Sequence, residues 1–149
     1  MKANSMSNTR LIIPALAPLY AKLTPVMETV MRVLAGGIMV THGWPKVQAP
    51  MGTADMVAKI GFAPTWFWAP GLAVVEFFGG ILLLLGLLTR PVAVAMTVVL
   101  LVTVYFHWVM LSQGLKGSEL SILWAAITAY FAVKGGNQYS VDHKIGRAF

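Results

Sequence analysis

The chain has 149 residues, of which 58% are hydrophobic and only 11% are charged, and it contains no cysteine. Typical soluble domains carry about 25% charged residues, so this composition excludes an ordinary soluble core and predicts a single integral membrane domain. The absence of cysteine excludes disulfides, thiolate metal ligands and thiol redox chemistry by the chain itself. The net charge of +6 does not predict a nucleic-acid partner, because the basic residues lie at the ends of apolar segments, where membrane topology accounts for them.

The first segment of the chain, residues 1–24, is predicted to form an N-terminal arm. Pro14 and Pro18 interrupt its apolar run, which does not fit a signal peptide and favours a short interfacial segment. Pro25 suits the first position of a helix, so the membrane domain is expected over residues 25–134.

Four apolar segments of this domain have the length of membrane spans. One of them, residues 66–88, rises about 34 Å as a helix, enough to cross a hydrocarbon core of roughly 30 Å. The short turn Thr89-Arg90-Pro91 makes the next span antiparallel to it, and the loop over residues 46–65 includes a short amphipathic helix. The predicted fold is all-α, a four-transmembrane-helix antiparallel bundle. The four spans are expected at about residues 26–44, 66–88, 91–111 and 118–134, and the cytoplasmic tail at residues 135–149.

The basic residues predict the orientation of this bundle. Seven lie on the side of the termini and three on the other side. Because cytoplasmic segments carry the excess of Lys and Arg, both termini are predicted to be cytoplasmic, in a multi-pass protein of the bacterial inner membrane. The residues on the side of the termini are Lys2, Arg10, Lys22, Arg90, Lys134, Lys144 and Arg147, and those on the other side are Lys46, Lys59 and Lys116.

One carboxylate, Glu76, lies near the middle of the second span, where a charge costs several kcal/mol unless a partner meets it. Counting about 1.5 Å of rise per residue places Arg32 nearer the cytoplasmic side than Glu76, close enough for the Arg32 guanidinium to reach the carboxylate. We therefore expect a buried ion pair between them, although Glu28 competes for Arg32 from one turn earlier. The pair could fix the register of the helices, or the carboxylate could handle protons or bind a ligand.

The same estimate of depth places His42, His107 and Glu119 at one level in the membrane, about one helical turn beyond Glu76 on the side away from the cytoplasm. Three interpretations stay open for this ring. A metal site lacks the H-x-x-x-H or E-x-x-H spacing that would support it, and none is predicted. A quinone headgroup could accept a hydrogen bond from histidine while a carboxylate relays protons. The residues could also simply bond to one another, to water and to the backbone.

Several motifs together resemble those of the DoxX family of small bacterial membrane proteins. They are MRVLAGGIMVTHGWPKV, VEFFGGILLLLGLLTRP, the GSEL before the last span and the terminal YSVD. The similarity covers about residues 26–142 and implies a four-helix bundle in the cytoplasmic membrane. Family members include quinone-reducing oxidoreductase subunits, partners of redox-stress enzymes and maturation factors. The resemblance carries the polar signature of the family onto Arg32, His42, Lys46, Glu76, Arg90, Glu119, Tyr139 and Asp142.

Two functions are consistent with these observations. The first is an accessory subunit or partner of a membrane redox system, with a quinone-type pocket around Glu76 and electrons supplied by a partner protein. The second is a non-catalytic membrane anchor or assembly factor whose buried Arg32–Glu76 pair is structural. No catalytic residue is assigned. The glycines Gly36-Gly37, Gly79-Gly80 and Gly86 are predicted to allow close packing of the helices, and the glycine-rich faces also permit homo-oligomerisation. The candidate ligand-binding or polar-core residues are Arg32, His42, Lys46, Glu76, His107 and Glu119.

Overall fold

The computed structural model describes residues 11–148, so Lys2 and Arg10, which entered the predicted orientation, lie outside the described residues. Within this range the chain is helical and has no strand. A π-helical turn, Phe106–Met110, extends the fourth helix. The helices are α1 (Ala17–Gln48), α2 (Ala54–Lys59), α3 (Thr65–Leu85), α4 (Thr89–Tyr105), α5 (Gly114–Lys134) and α6 (Val141–Lys144).

The predicted all-α class is confirmed, and within residues 11–148 three helical segments are long and apolar enough to cross a membrane. The α5 helix, with 21 residues, has the length of a span but is more polar, because it carries Lys116, Glu119 and Lys134. The short helix predicted between the first two spans is present as α2. The three apolar segments are Pro14–Gln48, Thr65–Leu85 and Thr89–Met110.

The α1 helix is longer than the first span that the sequence predicted. It begins at Ala17 and continues through both Pro25 and Pro45, so the helix start predicted at Pro25 is wrong. In an apolar environment a break in the helix exposes backbone groups that water cannot reach, and polar groups of neighbouring segments satisfy those that a proline frees. The Asn137 side chain contacts α1 at the first proline, where it donates to the Pro25 carbonyl at 2.7 Å.

The turn between α3 and α4 lies slightly earlier than predicted. Gly86 ends α3 in the left-handed conformation, with φ of 71°, and Leu88 precedes α4 with φ of 51°. Thr89 and Arg90 therefore belong to the first turn of α4. The predicted antiparallel hairpin is present, with its turn over residues 86–88.

The α1 and α3 helices approach each other closely at glycines. A Cβ atom on Gly36 would lie 2.6 Å from the Leu84 nitrogen and 2.7 Å from the Gly80 carbonyl oxygen. Small residues permit such backbone contact between membrane helices. The packing role predicted for Gly36 and Gly80 is confirmed, whereas a Cβ atom on Gly37 would meet nothing within 4 Å.

The bundle core is small, and much of the apolar surface points outward. Large side chains such as Phe78, Val98 and Leu123 are more than half exposed, at 53%, 56% and 53%. Contiguous exposed apolar surface of this kind is rare in soluble proteins and suits contact with lipid. The buried apolar cluster consists of Ala35, Met39, Leu83, Ala93, Met96, Leu100, Ala125 and Phe131.

The start of α1 and the end of α5 lie at the same end of the bundle. The Tyr130 hydroxyl donates to Glu28 at 2.7 Å, and Asn137 contacts Pro25. Arg90, in the first turn of α4, reaches the Lys134 carbonyl at 3.4 Å. We call this the terminal end of the bundle, and the opposite end, where α1 ends and α3 begins, the loop end.

Candidate functional site

The buried carboxylate Glu76 is paired with Lys46. Glu76 is 5% exposed in the middle of α3, and its carboxylate forms a salt bridge with the Lys46 ammonium. Because α1 continues to Gln48, Lys46 lies inside the helix and its side chain reaches Glu76. The backbone of Gly43, one turn earlier, packs directly against that of Phe77, which narrows the gap that the lysine must bridge.

The predicted Arg32–Glu76 pair is therefore wrong. Arg32 is 2% exposed, and its Nη1 donates to the carbonyls of Leu83 at 2.8 Å and Leu84 at 2.6 Å. These carbonyls lie more than one helical turn beyond Glu76 on α3. The last carbonyls of a helix have no donor within the helix, and the helix dipole favours a cation there. Arg32 therefore binds carbonyls at the end of α3, and Lys46 is the partner of the Glu76 carboxylate.

The guanidinium of Arg32 occupies space that only a glycine leaves free. A Cβ atom on Gly86 would lie 2.5 Å from Arg32 Nη1. The positive φ of Gly86 also suits glycine, so the turn after α3 and the place of the arginine depend on the same residue. The Arg32 Nε makes no hydrogen bond within residues 11–148.

Asp142 closes the same end of the bundle from the C-terminal segment. It is 5% exposed, and its Oδ1 accepts from the Leu88 amide at 2.8 Å. Its Oδ2 accepts from the amide and the hydroxyl of Thr89 at 2.9 and 2.7 Å, and its own amide donates to the Gly86 carbonyl at 2.9 Å. The segment predicted as a polar tail is thus docked on the α3–α4 turn through α6.

Glu28 ties α1 to α5. It is 6% exposed and accepts from Tyr130 at 2.7 Å and from Lys134 at 3.0 Å. Asn137 adds a longer bond at 3.4 Å. Residue reasoning placed Glu28 beside Arg32 as a competitor, but the partner is a cation at the end of α5. The signal available in the sequence was the position of both groups at the predicted cytoplasmic end.

The residues of the predicted ring are not joined to this site by hydrogen bonds in the part of the chain that the structure describes. His42 and Glu119 are exposed on α1 and α5. His107 lies in the π-helical turn, with its Nδ1 2.8 Å from the Gln113 amide oxygen. Among residues 11–148 the structure contains no cluster of three or more His, Asp or Glu that could hold a metal. What it brings together from the predicted set is Lys46 and Glu76.

Three apolar helices tied by buried polar contacts define a small multi-pass membrane protein. The chain belongs to the DoxX family, whose model matches residues 27–108. It is similar over almost the whole length of an inner membrane protein of Escherichia coli K12, YqjF, at 28% identity over 129 residues, 85% of this chain and 97% of that one. Together these findings make it a multi-pass protein of the inner membrane.

Two further relatives extend the comparison. An uncharacterized protein of Haemophilus influenzae is 27% identical over 83% of this chain and 93% of its own length. The putative oxidoreductase CatD of Bacillus subtilis is 37% identical over 71 residues, 48% of this chain and 52% of that protein. No solved structure matches the chain.

Proposed function

We propose that this chain is an accessory subunit or partner of a membrane redox system, in which Lys46 and Glu76 form a headgroup site for a quinone-type lipid. The observation that carries the proposal is this pair of a partly buried cation and a buried carboxylate between two apolar helices. The word oxidoreductase in the name of the Bacillus subtilis relative supports a redox setting. The chain itself supplies no thiol, so its electrons come from a partner protein.

The chemistry of the pair suits a ligand with carbonyl and hydroxyl groups. An ammonium donates up to three hydrogen bonds and a carboxylate only accepts them, so the pair can meet both groups. The side chain of Lys46 is 22% exposed against 6% for Glu76, which leaves the lysine accessible to a ligand. Trp44 and Phe77, which lie close to the pair in sequence on α1 and α3, contact each other with ring centroids 5.6 Å apart.

Replacement of Glu76 tests this site. In Glu76→Gln we expect co-purified quinone to fall about tenfold or more, since a hydrogen bond to a charged group contributes about 1.5–3 kcal/mol. Quinone is measured by mass spectrometry of the lipid extract, and folding by circular dichroism in mild detergent. Glu119→Gln is the matched control, because it removes the same charge from an exposed position on α5. Wild-type protein that neither carries quinone nor takes it up on addition contradicts the proposal.

The second candidate is a non-catalytic anchor or assembly factor in which the Lys46–Glu76 pair only holds α1 to α3. The observation that favours it is that each partner satisfies the charge of the other. We then expect Lys46→Met and Glu76→Gln to destabilise the bundle non-additively, with a coupling energy of about 1–3 kcal/mol in a double-mutant cycle. The measurement is unfolding in detergent, and strictly additive losses contradict this role.

The proposal includes a fourth membrane crossing by α5, with both termini in the cytoplasm. Its 21 residues rise about 32 Å. Its outward side chains Leu120 and Val133 are 65% and 82% exposed, which suits lipid contact. The excess of basic residues at the terminal end supports the cytoplasmic side.

The lack of cysteine allows a direct test of this topology. With a membrane-impermeant maleimide we expect Ser112→Cys, before α5, to be labelled from outside the cell membrane. Gln138→Cys, after α5, should be labelled only after permeabilisation. Labelling of both from one side contradicts a fourth crossing, and the reversed pattern contradicts the orientation.

A further inference from the structure

A basic cavity lies at the terminal end of the bundle, away from Lys46 and Glu76. Its volume is about 330 Å³, and it lies between the end of α5, the first turn of α4 and the C-terminal segment. Three glycines form part of its wall, so backbone is accessible there. The charged or titratable side chains that line it are Arg90, Lys134, His143, Arg147 and Asp142.

The single acid of this cavity does not offset its positive charge at close range. Both oxygens of Asp142 accept hydrogen bonds from Leu88 and Thr89, so the carboxylate is directed into the α3–α4 turn. Lys134 is held by Glu28 at 3.0 Å, with its side chain still 49% exposed. The cations that remain for a ligand are the two arginines, Arg90 and Arg147.

Both arginines keep donors available for an anion. Arg90 makes only long bonds of 3.4 Å, from Nε to the Val133 carbonyl and from Nη2 to the Lys134 carbonyl. Arg147 is exposed, and its only described hydrogen bond comes from its backbone amide. Guanidinium groups present paired donors that match the oxygens of a phosphate.

The depth of the cavity suits a lipid headgroup. Arg90 lies in the first turn of a helix that is long and apolar enough to span the membrane, which places the guanidinium at the membrane surface. Basic pockets between membrane helices at this level bind anionic headgroups. The charge of the pocket and its depth therefore point to the same ligand.

An apolar groove begins at Glu28, the salt-bridge partner of Lys134. Its volume is about 360 Å³, and Leu23, Met27 and Met31 of α1 line it, with Glu28 and Tyr130 at its polar edge. The Glu28–Lys134 salt bridge thus connects a basic cavity to a surface fit for an acyl chain. A free phosphate ion would use only the first of these two features.

We propose that the basic cavity binds the phosphate of an anionic phospholipid, whose acyl chain lies in the groove between α1 and α5. This site is independent of the quinone-type site, which lies between α1 and α3 toward the loop end. Arg90 and Arg147 contact the phosphate, and Lys134 adds positive charge beside it.

The test is native mass spectrometry of the full chain in neutral detergent, titrated with phosphatidylglycerol or phosphatidylcholine. We expect the wild-type protein to prefer phosphatidylglycerol. The double variant R90Q/R147Q should lower that affinity about 25-fold, since each cation near an anionic lipid contributes about fivefold. Arg147→Gln alone should lower it about fivefold without affecting the fold, because the side chain makes no described hydrogen bond.

The matched control is K59Q/K116Q, which removes two exposed cations from the loop end. It should leave phosphatidylglycerol binding unchanged. Equal affinity for the two lipids, or an equal loss in the control, overturns the proposal. A third titration adds excess inorganic phosphate to the lipid-bound protein. Complete displacement of the lipid by phosphate assigns the cavity to a soluble phosphate and overturns the lipid assignment.

Discussion

Replacing Asp142 with alanine is expected to lower the free energy of unfolding by about 3–5 kcal/mol, one of the two largest effects that we expect from a single substitution. The carboxylate accepts three hydrogen bonds, from the Leu88 amide and from the amide and hydroxyl of Thr89. Thr89 is fully buried, so no water replaces the lost acceptor. Buried donors without a partner cost about 1–3 kcal/mol each.

The measurement is thermal or SDS-induced unfolding in mild detergent, followed by circular dichroism. Asp142→Asn keeps one carbonyl acceptor and should lose about half as much stability. His143→Ala alters the next, exposed residue and should change stability by at most about 0.5 kcal/mol. Trypsin should also cleave Asp142→Ala faster at Lys144 and Arg147, because the C-terminal segment undocks. Equal stability of Asp142→Ala and His143→Ala contradicts the capping role.

The second large effect is expected at Gly36, where Gly36→Ala should destabilise the bundle by about 2–3 kcal/mol. The new methyl group would lie 2.6 Å from the Leu84 nitrogen and 2.7 Å from the Gly80 oxygen. Both atoms belong to the α3 backbone, which cannot rotate away as a side chain can. The α1 and α3 helices must therefore move apart, and the Lys46–Glu76 contact weakens with them.

Gly37→Ala is the matched control for Gly36→Ala. It is the next residue of the same helix, and its new methyl group would meet nothing within 4 Å. Alanine has the higher helix propensity, so this variant should be neutral or gain up to about 1 kcal/mol. Unfolding in detergent compares the two variants directly. Similar stabilities for both variants would show that α1 and α3 are not packed through Gly36.

The class of the protein and the burial of Glu76 could be predicted from the sequence, since both follow from an apolar segment of membrane length with one acid inside it. The close packing at Gly36 and Gly80 could also be predicted, because small residues in membrane helices mark interfaces. These features depend on local composition, which a single sequence contains.

The partner of Glu76 could not be predicted in the same way. Pro25 predicted the start of the first span, which was expected to end at about residue 44, and Lys46 consequently fell outside it. The α1 helix passes through both prolines, because a lipid environment requires the backbone to stay hydrogen-bonded. Estimated depths then assigned Arg32 to the carboxylate, whereas the carbonyls of Leu83 and Leu84 at the end of α3 are its partners.

The docking of the C-terminal segment was also beyond residue reasoning. Asp142 is separated from Thr89 by 53 positions, and no periodic pattern connects two such residues. Only the resemblance to the DoxX family included Asp142 in a polar signature. The Ser140 side chain, which accepts from the His143 amide at 3.2 Å, is the local signal for the start of α6.

The position of Asp142, the hydrogen-bond acceptor for the α3–α4 turn, near the end of the described chain has a consequence for the order in which the bundle assembles. A chain is synthesised from its N-terminus, so α3 and α4 leave the ribosome before Asp142 exists. Until α5 has followed them, the amides of Leu88 and Thr89 lack their acceptor, and the hairpin is incomplete. Docking of Asp142 is then a late step, and resistance of the C-terminal segment to protease would report that the membrane domain is finished.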